Sequence, residues 1–151
     1  MHDIDEKTRK AQEAKEKKAA YGQDIDLETY CVEGECIEPL SGLGQLTQED
    51  RSMMLKAGVD ASEQDRSGSY IQKDTSAIYA TSLMDGLEVL PIKDALKLDW
   101  VNEYYWKLAD VGQDKYTARA YTDLHNGYVI RSLPGARVTF PVQACLYLHQ
   151  D

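Results

Sequence analysis

Gly127-Tyr-Val-Ile-Arg-Ser-Leu-Pro-Gly-Ala-Arg-Val-Thr-Phe-Pro-Val-Gln-Ala-Cys-Leu-Tyr-Leu148 decides how this chain is read. It reads as a strand, a Pro134-Gly135 turn, a second strand, a break at Pro141 and a third strand. Val138 and Phe140, then Val142, Ala144, Leu146 and Leu148, recur at alternate positions, the period of a strand with one buried face. So apolar a run presents unpaired N–H and C=O groups along any free edge, and it normally continues into more sheet. The sequence ends shortly after it, so the reading expects the opening portion of a larger β architecture.

Working outward, 151 residues suffice for one ordinary domain with a core, and an apolar fraction of 42% argues for a folded chain. The net charge is −9 and the pI about 4.8, the opposite of a nucleic-acid or anionic-lipid footprint. No apolar run approaches the roughly 20 residues of a membrane span, and the N-terminus has no secretory apolar core, so the cytoplasm is the expected location. Three cysteines, an odd number, argue against an extracellular disulfide scaffold.

Three regions are expected: a charged helical arm over 1–22, an acidic linker over 23–46, and an α+β domain over 47–151. From Asp5 to Ala20 nearly every residue favours helix, with Glu6–Lys10 and Glu13–Lys17 at i,i+4 spacing. The near absence of an apolar stripe makes this a solvated helix. Thr47 with Asp50 resembles a capping box ahead of Met53, Met54 and Ala57, with Gly58 as the stop. Tyr70/Gln72 and Ile78/Ala80 give short strand alternations. Asp85-Gly86 reads as a hairpin turn between Ile78–Leu83 and Leu87–Leu90. Pro91 opens a short helix to Leu98. Asp99 caps another over Trp100–Ala109, apolar around so much of its circumference that it reads as sandwiched. A further helix is expected over Asp114–Asp123.

Four blocks, in this order and spacing, carry a resemblance: Asp65-Arg-Ser-Gly-Ser-Tyr-Ile-Gln, Asp85-Gly-Leu-Glu-Val-Leu-Pro-Ile, Asp114-Lys-Tyr-Thr-Ala, and the run Gly127 to Gln143. Over about residues 47–149 the chain resembles the N-terminal part of SufB/SufD proteins of the compact archaeal type, components of the SUF system for iron–sulfur cluster assembly. The resemblance implies an α+β fold with N-terminal helices, a small mixed sheet, and the first strands of a β-helix-like region. It also implies a non-enzymatic capping or interaction region of a cluster-assembly scaffold. In the full-length context the implied partners are a SufC-like ABC ATPase and a second SufB/SufD subunit. An iron–sulfur cluster is implied for the full assembly and none for this stretch. The family's assembly cysteine and histidine lie in the later β-helix, so no functional residue of the family maps onto this sequence, and no catalytic residue is assigned.

Two other readings stand beside it. Cys31 and Cys36 form a Cys-x4-Cys pair, and with Cys145 they are the candidate ligands of a small metal-binding or iron–sulfur redox protein. Acidic neighbours raise thiol pKa, against ligation, and Cys145 lies out of phase with Leu146 and Leu148. The third reading is a module that dimerises through the C-terminal strand. His2, His125 and His149 are scattered, and His2 and His125 read as surface residues. Gly42-Leu-Gly44 lacks the strand–turn–helix context of a phosphate loop. Trp100, Tyr104, Tyr105 and Trp106 read as core aromatics rather than a base-stacking platform.

Overall fold

The computed structural model describes residues 2–30, 34, 36–124 and 126–148, with side chains from residue 6 onward. The fold is α+β, in two compact units.

One unit holds residues 1–32 and 98–125. Its first helix, α1, spans His2–Ala14. Glu6 meets Lys10 at 3.3 Å as expected, but Glu13 pairs with Arg9 at 2.7 Å and Lys17 Nζ donates instead to the Gly112 carbonyl at 2.9 Å. The helix is not solvated all round: Ala11 and Ala14 are buried against Val111 and Ala118, a small-residue contact that a hydrophobic-stripe reading overlooks. It also stops six residues short of Ala20. The Ala19 and Ala20 N–H groups donate to Asp24 Oδ1 (3.1 Å), five residues on, and to the distant Asp114 Oδ2 (3.0 Å), acceptors that replace the helical ones. Helix α5, Lys115–Thr122, starts where expected, on Asp114: that side chain accepts from the Tyr116 and Thr117 N–H groups, and Thr117 Oγ1 accepts the Asp114 N–H in return.

The helix expected over 100–109 is a correction. α4 covers only Asp99–Asn102, after which the chain turns. Beyond it, Lys7 Nζ donates to the Tyr105 carbonyl at 2.9 Å. Trp106 sits edge-on to Tyr121, centroids 5.9 Å apart, with φ +54°. A bulky residue in that left-handed region costs roughly 1–2 kcal/mol, offset here by aromatic packing. Tyr104 and Leu108 are exposed, so the segment is not sandwiched.

The other unit holds 33–97 and 126–151. α2 (Gln48–Lys56) is capped by Thr47, whose hydroxyl accepts the Asp50 N–H, and Gly58 follows it at φ +81°. β1 (Gly68–Lys73) and β2 (Ser76–Ser82) form an antiparallel hairpin closed by Asp74-Thr75, with Asp74 at φ +50°, a conformation aspartate tolerates. The Asp85-Gly86 turn also exists, with Gly86 at φ +75°, but it joins two sheets and not two paired strands. β3 (Leu87–Pro91) pairs antiparallel with β4 (Tyr128–Ser132). Pro91 therefore ends a strand, and α3 is a single turn over Ile92–Ala95. β5 (Val142–Tyr147) pairs parallel with β1, in the order β2-β1-β5.

The two sheets meet around Tyr70, Leu87 and Val89. Gly68 permits this approach: a Cβ there would lie 2.8 Å from the Thr81 carbonyl oxygen and 2.9 Å from Val89 Cγ2. On the other face of the first sheet, Ile71, Ile78 and Cys145 pack on Leu43, Leu46 and Met54.

Candidate interaction edge

The C-terminal strand ends the three-stranded order, so its outer side presents main-chain groups with no further strand beside it among the described residues. The opposite edge, β2, is partly covered, since the Leu40 N–H donates to the Ile78 carbonyl at 2.7 Å and the Ile37 N–H to Ser76 Oγ at 3.0 Å.

Parallel pairing of β5 with β1 is fixed by side chains at both ends. At the start, Ser67 donates its N–H to the Pro141 carbonyl and accepts the Phe140 N–H at Oγ. Gln143 is buried and fully used: Oε1 accepts from Arg66 Nε at 3.1 Å, and Nε2 donates to Ser69 Oγ at 2.9 Å and to the Asp60 carbonyl at 3.3 Å. At the far end, the buried Asp50 carboxylate of α2 collects Lys73 Nζ at 2.9 Å, Tyr147 OH at 3.1 Å and Thr47 Oγ1 at 2.7 Å. Burial pushes the Asp50 carboxyl up, but the three hydrogen bonds outweigh it and hold it below the usual range. Burial, and then the Asp50 charge, push the Tyr147 phenol well above its ordinary value. Helix and both parallel strands are thereby tied at one point.

These contacts correct the facing expected from hydropathy. Val138 and Phe140 are in no strand and are exposed, because Phe140 and Pro141 are occupied in holding Ser67. Within β5 the deeply buried phase is Gln143 and Cys145, not Ala144 and Leu146. Val142 alone of the expected set packs inward, beside Tyr70, Leu87 and Val89. Ala144 is exposed, Leu146 is 56% and Leu148 80% exposed, and Tyr128 and Ile130 of β4 are also exposed. On β5 itself, Ala144 and Leu146 thus leave exposed apolar side chains beside an open edge.

Of the candidate ligands, Cys145 lies in the apolar cluster with Ile71 and Met54, its thiol pKa raised by burial, and Cys36 is exposed. Cys31 lies outside the described residues, as do His125, His149 and the His2 side chain. No group of three or more His, Cys, Asp or Glu among the described residues is placed to hold a metal ion. Gly42-Leu-Gly44 enters a short 3₁₀ turn that buries Leu43. The Asp50–Lys73–Tyr147 cluster was not anticipated; no local spacing links residues so far apart. Among the described residues no helix is long and apolar enough to cross a membrane.

A curated relative from Methanothermobacter thermautotrophicus strain Delta H, an "Iron-sulfur cluster assembly SufBD family protein", is 42% identical over 150 residues, 95% of this chain and 36% of that relative. Over nearly its whole length the chain is similar to part of a SufBD family protein. A SufBD relative from strain Winter of the same species is 40% identical over 150 residues, again 95% of this chain and 36% of its own length. One from Archaeoglobus fulgidus is 46% identical over 100 residues, 66% of this chain and 27% of that protein. The chain thus spans about a third of the length of the curated SufBD relatives it matches. No family model matches it.

Proposed function

We propose that this chain is the N-terminal capping and interaction region of a SufB/SufD-like iron–sulfur cluster assembly scaffold, non-enzymatic by itself and acting in the cytoplasm. β1 and β5 are the first strands of a stack that further parallel strands extend. In the full-length context, a SufC-like ABC ATPase and a second SufB/SufD subunit are the partners, and the cluster is the cargo. The observation that carries this reading is the open outer edge of β5, paired parallel to β1 and flanked by exposed Leu146 and Leu148. An unpaired edge with an apolar face favours a further strand, and the segment carrying Ile37 and Leu40 covers part of the opposite edge, β2, against unwanted pairing.

The test removes, from the longer Methanothermobacter relative, the stretch aligned with residues 1–126. The truncated protein is expected to aggregate and to lose cluster assembly. Monodisperse protein that still assembles clusters overturns the capping role.

The same edge supports a second reading, a strand-mediated dimer. Light scattering on the chain with and without Leu146→Lys separates the two: association abolished by the lysine favours the dimer. A cysteine-ligated metal or cluster site at Cys31, Cys36 and Cys145 has burial of Cys145 against it, since a neutral thiol is a poor ligand. Anaerobic reconstitution that yields stoichiometric iron or zinc, lost on Cys31→Ser, would reinstate it.

A further inference from the structure

The unit formed by 1–32 and 98–125 carries a groove between α1 and the turn that follows α4. Its main hollow, about 320 Å³, is walled by Trp106, Leu108 and Val111 on one side and by Lys7 and Lys10 on the other. A second hollow of about 240 Å³ shares Lys10 and Asp110 with the first and reaches Lys17. From Glu6 to Ala14 the helix rises about 12 Å at 1.5 Å per residue, the span of three or four extended residues.

Three observations say what fits there. The groove is slightly basic in a chain of net charge −9: its lining carries Lys7, Lys10, Lys17 and Lys107 against Glu6, Glu13 and Asp110. Two of the groove's acids are paired, Glu6 with Lys10 and Glu13 with Arg9, while Asp110 accepts the neutral Gly112 N–H at 2.9 Å and keeps its charge. Lys17 likewise bonds the neutral Gly112 carbonyl, which leaves its charge over the groove. The groove also holds apolar groups: Trp106 is held in a left-handed conformation beside Tyr121, and Leu108 at the lip is fully exposed.

We propose that this groove docks an acidic peptide segment of a protein partner, with an apolar side chain seated on Trp106 and Leu108 and carboxylates facing Lys7, Lys17 and Lys107, Lys10 being shared with Glu6. The lysines steer such a segment toward a basic patch on an otherwise acidic molecule. This proposal does not depend on the β5 edge, which lies in the other unit.

Trp106 is the reporter. In a Trp100→Phe background, its emission is titrated with a synthetic eight-residue peptide of alternating aspartate and leucine, and with a counterpart carrying lysine for aspartate. Saturable change with the acidic peptide alone is expected, weakened at least about tenfold by Lys17→Glu combined with Lys107→Glu and again by raised salt. Leu108→Asp, at a fully exposed position, removes the apolar contact and weakens binding while leaving far-UV circular dichroism unchanged. Calorimetry on the unaltered chain repeats the measurement without the Trp100 substitution. Absence of saturation into the millimolar range, equal binding of the lysine peptide, or undiminished binding by the double variant overturns the proposal. Self-association of the chain alone, abolished by the same lysine substitutions, also overturns it by making a second copy the occupant.

Discussion

Asp50→Ala removes the carboxylate on which Lys73, Tyr147 and Thr47 converge. Losing one partner of a buried ion pair costs about 3–5 kcal/mol, because the other charge stays desolvated. Here the lysine side chain keeps 16% exposure and its Nζ lies 5.9 Å from the Tyr147 ring centroid, so part of that penalty is relieved. The low end, about 3 kcal/mol, is expected. At about 1.4 kcal/mol per factor of ten this lowers amide protection in β1 and β5 by about two orders of magnitude. Hydrogen exchange read by mass spectrometry on peptides covering 68–73 and 142–147 is the assay, since tryptophan emission does not report on this unit; both tryptophans lie in 98–125. The double variant Asp50→Leu, Lys73→Met removes both charges and should lose markedly less than the single one. A fall in protection of less than about fivefold for Asp50→Ala, or a double variant worse than the single, refutes the view that this cluster ties β5 to α2.

The same cluster sets the pH dependence. Asp50 is depressed in the fold, so its contribution is present above the unfolded value of about 3.9 and is lost as pH falls further; Asp50→Asn flattens that acid limb. Tyr147 is raised, so the fold stays neutral while the unfolded chain ionises, and stability falls above about pH 10 unless Tyr147→Phe is present. Gly68→Ala drives a methyl group into the Thr81 carbonyl and Val89, and should cost about 1–3 kcal/mol in urea unfolding followed by circular dichroism. Asp114→Ala strands the Tyr116, Thr117 and Ala20 N–H groups and should cost about 1–2 kcal/mol in the other unit, read from tryptophan emission on melting.

The sequence was most legible where structure is written locally. The cap at Thr47 stands where the residue types placed it, because an N-cap needs only a short side chain and the N–H groups three residues on, whereas Asp99, read as a cap, lies inside α4 behind Leu98 and caps nothing. The SufB/SufD blocks were likewise readable as a pattern. Illegible were the features made by distant partners. Asp74-Thr75 closes a hairpin without a glycine signal, whereas Asp85-Gly86, which has one, links two sheets. The helix expected over 100–109 stops at Asn102, and the turn beyond it sets Trp106 in a left-handed conformation against the distant Tyr121. The facing of β5 was misread for one reason: hydropathy ranks Leu146 above Gln143, but Gln143 is buried by three hydrogen bonds that no period reveals. Exposure of Leu146 and Leu148 is therefore the informative departure, and it coincides with the open edge.

Hydrogen exchange across 142–147, compared between this chain and one of its longer SufBD relatives, tests that edge most directly. If β5 receives a further strand, about half of its amides, those turned away from β1, exchange freely in the chain alone and become protected in the longer protein. Equal protection in both would mean that the edge is an ordinary solvent-facing border and that no stack is built upon it.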